Sequence, residues 1–231
     1  MNEIITVGAR VKTAFETTPG VRPTSGYVTL KNVTEAPEIS LSLETIDVSN
    51  IQDKITRYVP GRQDPGGEKQ FTMNHSDDGI SEWNTLVALA DTKKDSGLRL
   101  WWEYRYPNAT NSFYFCGTPK QIGNSGISGN STSTLTGSVV FEEFAGWLPH
   151  SAEITPSATT ASVAKGATTT VTLTNSVGEV KITSSNMAAA TAVESSGTVT
   201  ITGVEAGTSV LTIEDGNGDA CKVVVTVTAS A

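Results

Sequence analysis

Apolar residues recur along this chain at two different periods, and the changes of period mark its elements. Over residues 39–43, Ile39, Leu41 and Leu43 fall on one face. Over residues 26–33, Val28, Leu30 and Val33 stand against Tyr27, Thr29 and Lys31. A period near two is that of a strand with one buried face. The strongest such signal spans residues 98–106. Leu98, Leu100, Trp102, Tyr104 and Tyr106 share one face, and Arg99, Trp101, Glu103 and Arg105 share the other. Residues 107–111 (Pro-Asn-Ala-Thr-Asn) turn it into residues 112–117, which predicts a hairpin. After a short strand at 71–74 the period lengthens. Ile80, Trp83, Leu86, Val87 and Ala90 follow helical spacing, with Asp77 or Asp78 able to cap a helix running through Asp91. Its apolar face is expected to pack on a sheet. Strand character returns over 135–144, after a Gly/Ser/Asn/Thr-rich stretch at 123–137 that reads as loop.

Two stretches fit neither period. Residues 1–26 are polar and punctuated by Pro19, Gly20, Pro23 and Gly26, which predicts an extended arm with little core of its own. Residues 44–70 read as a long irregular loop, with Pro60-Gly61 and Asp64-Pro65-Gly66-Gly67 as breakers. Loops beyond ~12–15 residues are uncommon in compact domains and usually functional. This one carries Ile46, Val48, Ile51, Ile55, Tyr58, Val59 and Pro60, an apolar content that wants a surface to lie on. A neighbouring subunit is one such surface and the domain's own body is the other.

From Ala152 onward aromatic residues vanish and Ala, Thr, Ser and Val dominate. Short apolar runs recur there between turn residues, the cadence of a β-sandwich. The expected fold class is therefore mainly β. A β-sandwich or barrel domain with one α-helix spans 1–150, and an immunoglobulin-like β-sandwich spans 151–231.

Charge narrows the partners. Basic and acidic residues number 13 and 17 before residue 151 and 3 and 7 after it, so each part carries −4 of the net −8. Neither has the basic excess that grips nucleic acid through its phosphates. Cys116 and Cys221 fall in different expected domains, so no disulfide is predicted. The N-terminus has neither a basic region nor an apolar one, so no export signal is expected, and no apolar run reaches the ~20 residues of a membrane-spanning helix.

No pattern of catalytic chemistry stands out. His75 and His150 lack other ligands at metal spacing and read as surface histidines. Asp77-Asp78 suits a helix start, and Glu142-Glu143 suits the two faces of a strand. Asp215-Gly216-Asn217-Gly218-Asp219 opens like a calcium loop, but the Gly and Glu that should follow are Ala220 and Thr226. An Asn-Gly hairpin turn is the simpler reading. The aromatic residues of 101–115 could form a platform for sugars. Alternation sends half of them inward, however, and Trp101 is expected to be buried against another subunit or the helix. No catalytic residue, cofactor or metal is expected, and the protein is not expected to be an enzyme.

Two resemblances carry the functional expectation. The pieces Ile154-Thr155-Pro156, Ser184-Ser185-Asn186, Ala190-Thr191-Ala192-Val193, Gly197-Thr198-Val199, Ala206-Gly207-Thr208-Ser209-Val210-Leu211-Thr212-Ile213 and Cys221-Lys222-Val223-Val224-Val225 occur in the order of the bacterial immunoglobulin-like group-2 (Big_2) family. The segment 152–229 resembles that family, with Ile182 where an aromatic residue often stands. Within about residues 20–148, Leu43-Glu44-Thr45-Ile46-Asp47, then Tyr58-Val59-Pro60-Gly61-Arg62-Gln63-Asp64-Pro65-Gly66, then Phe71-Thr72-Met73-Asn74 resemble tail tube proteins of phages with long non-contractile tails. That resemblance implies a virion protein assembled in the host cytoplasm. Six-membered rings would stack into a tube, with the 44–70 loop and the N-terminal arm making contacts between subunits. DNA would pass through the lumen without specific binding, eased by acidic charge. The implied partners are further copies of the chain and the tape measure, terminator and tip proteins. The C-terminal domain would sit on the tube exterior, in weak contact with host glycans. A non-catalytic carbohydrate-binding adhesin is the alternative reading.

Overall fold

The computed structural model describes residues 7–64, 66–124, 126 and 133–229. The chain divides into two compact units: Met1–Arg22 with Leu30–Pro149, and Pro23–Thr29 with His150–Ala231. It is mainly β, with one helix among the described residues.

The strands of the first half, in chain order, are β1 (Arg10–Phe15), β2 (Val28–Thr29), β3 (Val33–Glu35), β4 (Ser42–Asp47), β5 (Tyr58–Asp64), β6 (Glu68–Asn74), β7 (Leu100–Arg105), β8 (Asn111–Pro119), β9 (Gly123–Asn124) and β10 (Thr134–Pro149). The helix α1 (Asp77–Lys94) lies between β6 and β7. β2 belongs to the second unit. In the first unit an antiparallel sheet runs β1-β7-β8-β10-β6-β3, with β9 beside β10, and β4 and β5 pair separately.

One face of that sheet carries an aromatic core. Phe71 stacks on Trp102 at 4.9 Å between ring centroids, Trp102 on Phe115 at 5.9 Å and Phe115 on Phe141 at 5.8 Å. Helix α1 covers this stack with Trp83 and Leu86, both buried. The indole of Trp83 lies against Gly137 of β10, where a Cβ would meet the ring at 2.5 Å. Trp83 Nε1 donates to the Lys120 carbonyl at 2.8 Å, which satisfies its one polar atom.

Helix α1 begins one or two residues earlier than the sequence predicts and runs past Asp91 to Lys94. Ser76, with extended backbone (φ −142°, ψ 156°), is the cap and accepts from Gly79 N–H at 3.0 Å. Asp77 and Asp78 already lie in the first turn, where their charge meets the positive helix end, as Lys93 and Lys94 meet the negative one.

The structure corrects two larger expectations. Residues 7–26 are not an arm without core; the first six residues of the expected arm lie outside the described residues. β1 pairs with β7 along Arg10–Phe15, and Lys12, Thr13, Ala14 and Glu16 are buried. The sequence hides this strand because its inward positions include charged Lys12 and run on into Glu16 just past its end. Their burial is sustained by partners from distant segments, as at Glu16 below. Residues 44–70 are not irregular throughout either; among the described residues only the 48–57 tip and the short link at 66–67 lie outside strands. β4 and β5 form a hairpin and β6 begins at Glu68. The strand expected at 39–43 starts at Ser42 instead, and the one expected at 26–33 splits into β2 and β3.

The second unit contains β11 (Thr155–Pro156), β12 (Thr160–Ala164), β13 (Thr168–Thr174), β14 (Lys181–Ser184), β15 (Ala190–Ser195), β16 (Thr198–Gly203), β17 (Gly207–Glu214) and β18 (Ala220–Thr228). They form two four-stranded sheets, β11-β13-β16-β15 and β12-β18-β17-β14. The first strand splits between sheets, its second part pairing in parallel with β18. This is the strand order of an immunoglobulin-like sandwich. Its core is aliphatic: Val171, Val199, Ile201, Leu211, Ile213, Val223 and Val225 meet between the sheets. A hydroxyl cluster ties the polar motif residues together. Ser184 Oγ lies 2.8 Å from buried Ser209 Oγ, which accepts from Asn186 N–H, while Ser185 Oγ accepts from Val210 N–H.

The 215–219 turn is a hairpin turn, as expected, but not the two-residue Asn-Gly type. It spans five residues between the paired Glu214 and Ala220, with Gly218 at φ 75°. Asp215 Oδ1 accepts from the N–H groups of Asn217 and Asp219, and its Oδ2 from Val177 N–H. The carboxylate that a calcium ion would need is thereby committed to the backbone. Asn217 reaches into the Pro23–Thr29 segment, accepting from Thr29 N–H at 2.8 Å and donating to the Tyr27 carbonyl at 2.7 Å. The second unit is therefore discontinuous in sequence, and Asn217 is a fastening of its detached piece.

Two substitutions test this packing. Gly137→Ala is expected to cost ~1–3 kcal/mol, because the added methyl overlaps the Trp83 ring; urea unfolding measures it. Asn217→Ala removes the partners of two buried backbone groups and is expected to cost ~1–3 kcal/mol. Hydrogen exchange at Thr29 should accelerate in that variant, and unchanged exchange there would exclude the fastening role.

Candidate assembly interface

The β4–β5 hairpin is the most unusual surface of the first unit. Ile46 pairs with Val59, Thr45 with Pro60 and Asp47 with Tyr58, with a bulge between Leu43 and Thr45. Pro60 is tolerated because a two-stranded ribbon has only edges. Next to it in β5, Gly61 passes so close to β4 that a Cβ would lie 3.1 Å from the Glu44 carbonyl. The tip closes on itself. Asp47 Oδ1 accepts from Ser49 N–H at 2.8 Å, Ser49 Oγ from Arg57 N–H at 2.7 Å, and Asn50 Oδ1 from Gln52 N–H at 2.9 Å.

The polar backbone of the tip is thus satisfied internally while its apolar side chains face outward. Ile51 is fully exposed, Ile55 is 79% exposed and Tyr58 61%; Ile46, Val48, Val59 and Pro60 are exposed as well. Of the two surfaces that could have covered this segment, the domain's own body does not. An isolated two-stranded ribbon is at best marginally stable in water, so an apolar partner would stabilise it.

Sequence reasoning missed a second exposed apolar group. Phe144 and Trp147 of β10 are 38% and 53% exposed. Register shifts between Phe141 and Glu143 and between Phe144 and Gly146 insert extra residues, so Phe141, Phe144 and Trp147 share one face at a spacing of three. Alternation by two cannot reveal this. The one available signal is Gly146, whose φ of 74° suits a bulge.

The other candidates resolve into structural roles. Trp101 is buried, but not by the helix. Its Nε1 donates to Glu16 Oε1 at 2.9 Å, so the N-terminal segment covers it. Glu16 also takes the Arg99 guanidinium at 3.0 Å and Gly20 N–H at 2.9 Å. Burial pushes the Glu16 pKa up. Hydrogen bonds from Trp101, Gly20 and Arg99 outweigh that and hold it below the usual glutamate value. Glu143 pairs with Arg99, and Glu142 accepts from Thr118 Oγ1. Cys116 is buried beside Glu142, and burial and that carboxylate both push its thiol pKa up, away from reactivity. His75 Nδ1 lies 2.7 Å from Ser133 Oγ. Among the described residues no group of His, Cys, Asp and Glu is arranged to hold a metal, and no helix is long and apolar enough to cross a membrane.

No protein-family model and no curated protein matches this chain. Among solved structures it is similar to a chain of the anti-feeding prophage baseplate, at 10% identity over 61% of this chain and 92% of that one, with a TM-score of 0.40. It is also similar to domains 4 and 5 of the S-layer protein SbsC, at 20% identity over 55% of this chain and 89% of that one, with a TM-score of 0.30. At these scores neither likeness carries an argument about function.

The Glu16 site makes a pH prediction. A depressed carboxylate pKa contributes stability that is fully present above the ordinary glutamate range and is lost as pH falls through the depressed value. Acid titration of stability should therefore be shallower in Glu16→Gln than in the parent over that window. Parallel curves would show that Glu16 is not the group responsible.

Proposed function

We propose that the protein is a structural, non-catalytic subunit of a phage tail. In this reading its copies assemble into stacked six-membered rings that form a tube conducting DNA. The C-terminal sandwich is an appended module on the tube exterior. The observation that carries the reading is the β4–β5 hairpin. It has hydrogen bonds of its own and a row of large apolar side chains that its own domain leaves in water. A monomer gains nothing from such an element, whereas a subunit that repeats itself gains an interface. The resemblance of residues 43–47, 58–66 and 71–74 to tail tube proteins points the same way, and the net −8 charge suits a channel along which DNA slides.

Electron microscopy of the concentrated full chain is expected to show rings or hollow tubes. Replacing Ile51 and Ile55 together by Glu is expected to leave a folded monomer, as read by circular dichroism and sedimentation. If the doubly substituted protein assembled like the parent, the hairpin would not be the interface. If the parent stayed monomeric in sedimentation at every concentration, the self-assembling reading would fall.

A further inference from the structure

The hairpin needs an acceptor, and the first unit offers one on a different part of its own surface. The aromatic core does not end beneath helix α1. It continues from Phe115 through Tyr104 to Phe113, which touches Phe144 at 5.3 Å and Trp147 at 5.5 Å between ring centroids. Trp147 also packs on Tyr106 at 5.8 Å. Phe113 is buried, but Phe144 and Trp147 emerge into water. The charged side chains of these strands are occupied on the opposite face. Arg99 and Glu143 pair beside Trp101, Glu142 meets Thr118, and Glu103 accepts from Ser112 and Tyr114. What is left at this end of the sheet is an uncharged aromatic shelf.

We infer that the β4–β5 hairpin of one copy docks on the Phe144–Trp147 shelf of the next copy. This inference rests on the self-assembling reading above and adds the acceptor surface to it. The chemistry matches on both sides. The hairpin presents β-branched aliphatic side chains, Ile46, Val48, Ile51, Ile55 and Val59, and the shelf presents aromatic rings, a favourable cross-contact. Within one copy the hairpin residues are exposed, so they do not cover their own shelf. Two different surfaces meeting make a heterologous contact, which propagates from copy to copy and closes into a ring or continues as a filament. An isologous dimer would not use it. The contact is also small. Aromatic side chains bury ~150–250 Å² each, so two half-exposed rings and a hairpin tip fall short of the ~800 Å² per partner of a standard interface. One such contact is weak. A closed ring gives every copy two, as donor and as acceptor, which favours cooperative assembly over stable pairs.

Photo-crosslinking tests the acceptor. Full-length chain with p-benzoylphenylalanine in place of Ile51 is mixed as normal and ¹⁵N-labelled copies, assembled, irradiated and analysed by mass spectrometry. The expected product joins position 51 of one copy to a peptide within residues 140–149 of a copy with the other label. Trp147→Ser should abolish this product and raise the concentration needed for assembly about tenfold. Trp147→Phe should retain both, and thermal unfolding should confirm that the variants are folded. Crosslinks to another part of a second copy, with assembly intact, would overturn the shelf while leaving the assembly reading standing. Crosslinks confined within one copy would also overturn it. Absence of both intermolecular crosslinks and assembly would overturn both readings. A glycan that bound at Trp147 and left assembly unaffected would reassign the shelf to sugar recognition.

Discussion

The first unit depends on the fit of one indole to one glycine. Trp83 projects from α1 onto Gly137, where no side chain larger than hydrogen fits, and donates its N–H to the Lys120 carbonyl. That contact brings the helix down on the aromatic stack of Phe71, Trp102 and Phe115. Close approach is what makes the stack a core, because dispersion and exclusion of water both need a sealed surface. Once one face is closed at the Trp83 end, the same stack must run out somewhere along the long strand β10. It does so at Phe144 and Trp147. The exposed shelf is thus the continuation of the core beyond the reach of its only described helix.

The opposite face of the same sheet obeys a different rule. Buried Lys12, Glu16 and Glu103 lie there with Trp101 and Tyr114. Charges inside a protein are tolerable where each meets a partner, and Glu16 meets Arg99, Trp101 and Gly20 at once. The N-terminal segment is held by this arrangement as well as by its pairing to β7. A segment that reads as an arm by composition is a paired strand of the sheet.

The second unit achieves order with different means. Its continuous part, from His150 on, contains no Phe, Trp or Tyr and relies on interleaved Val, Ile and Leu between two sheets. Its polar specificity comes from small groups, with Ser184, Ser185 and Ser209 linking neighbouring strands and Asp215 closing a five-residue turn. The Pro23–Thr29 segment joins it through Asn217. The hairpin and the shelf both belong to the first unit.

The sequence by itself determined whatever rests on local periodicity. The 98–106 strand, the hairpin into 112–117, the helix around Trp83 and the sandwich cadence after residue 152 all read directly, because side-chain period reports backbone state. The apolar content of Ile46, Val48, Ile51, Ile55, Tyr58 and Val59 was equally plain. Tertiary structure decided what depends on distant partners. It made a strand of residues 10–15 and fixed the adjoining Glu16 with groups more than 80 residues away. It drew residues 42–64 into a hairpin, which no apolar alternation announces. Through two bulges it placed Phe141, Phe144 and Trp147 on one face. It also assigned residues 23–29 to the second unit. For residues 10–16 and 23–29 the deciding energy is a contact between segments remote in sequence, and a local pattern carries no record of it.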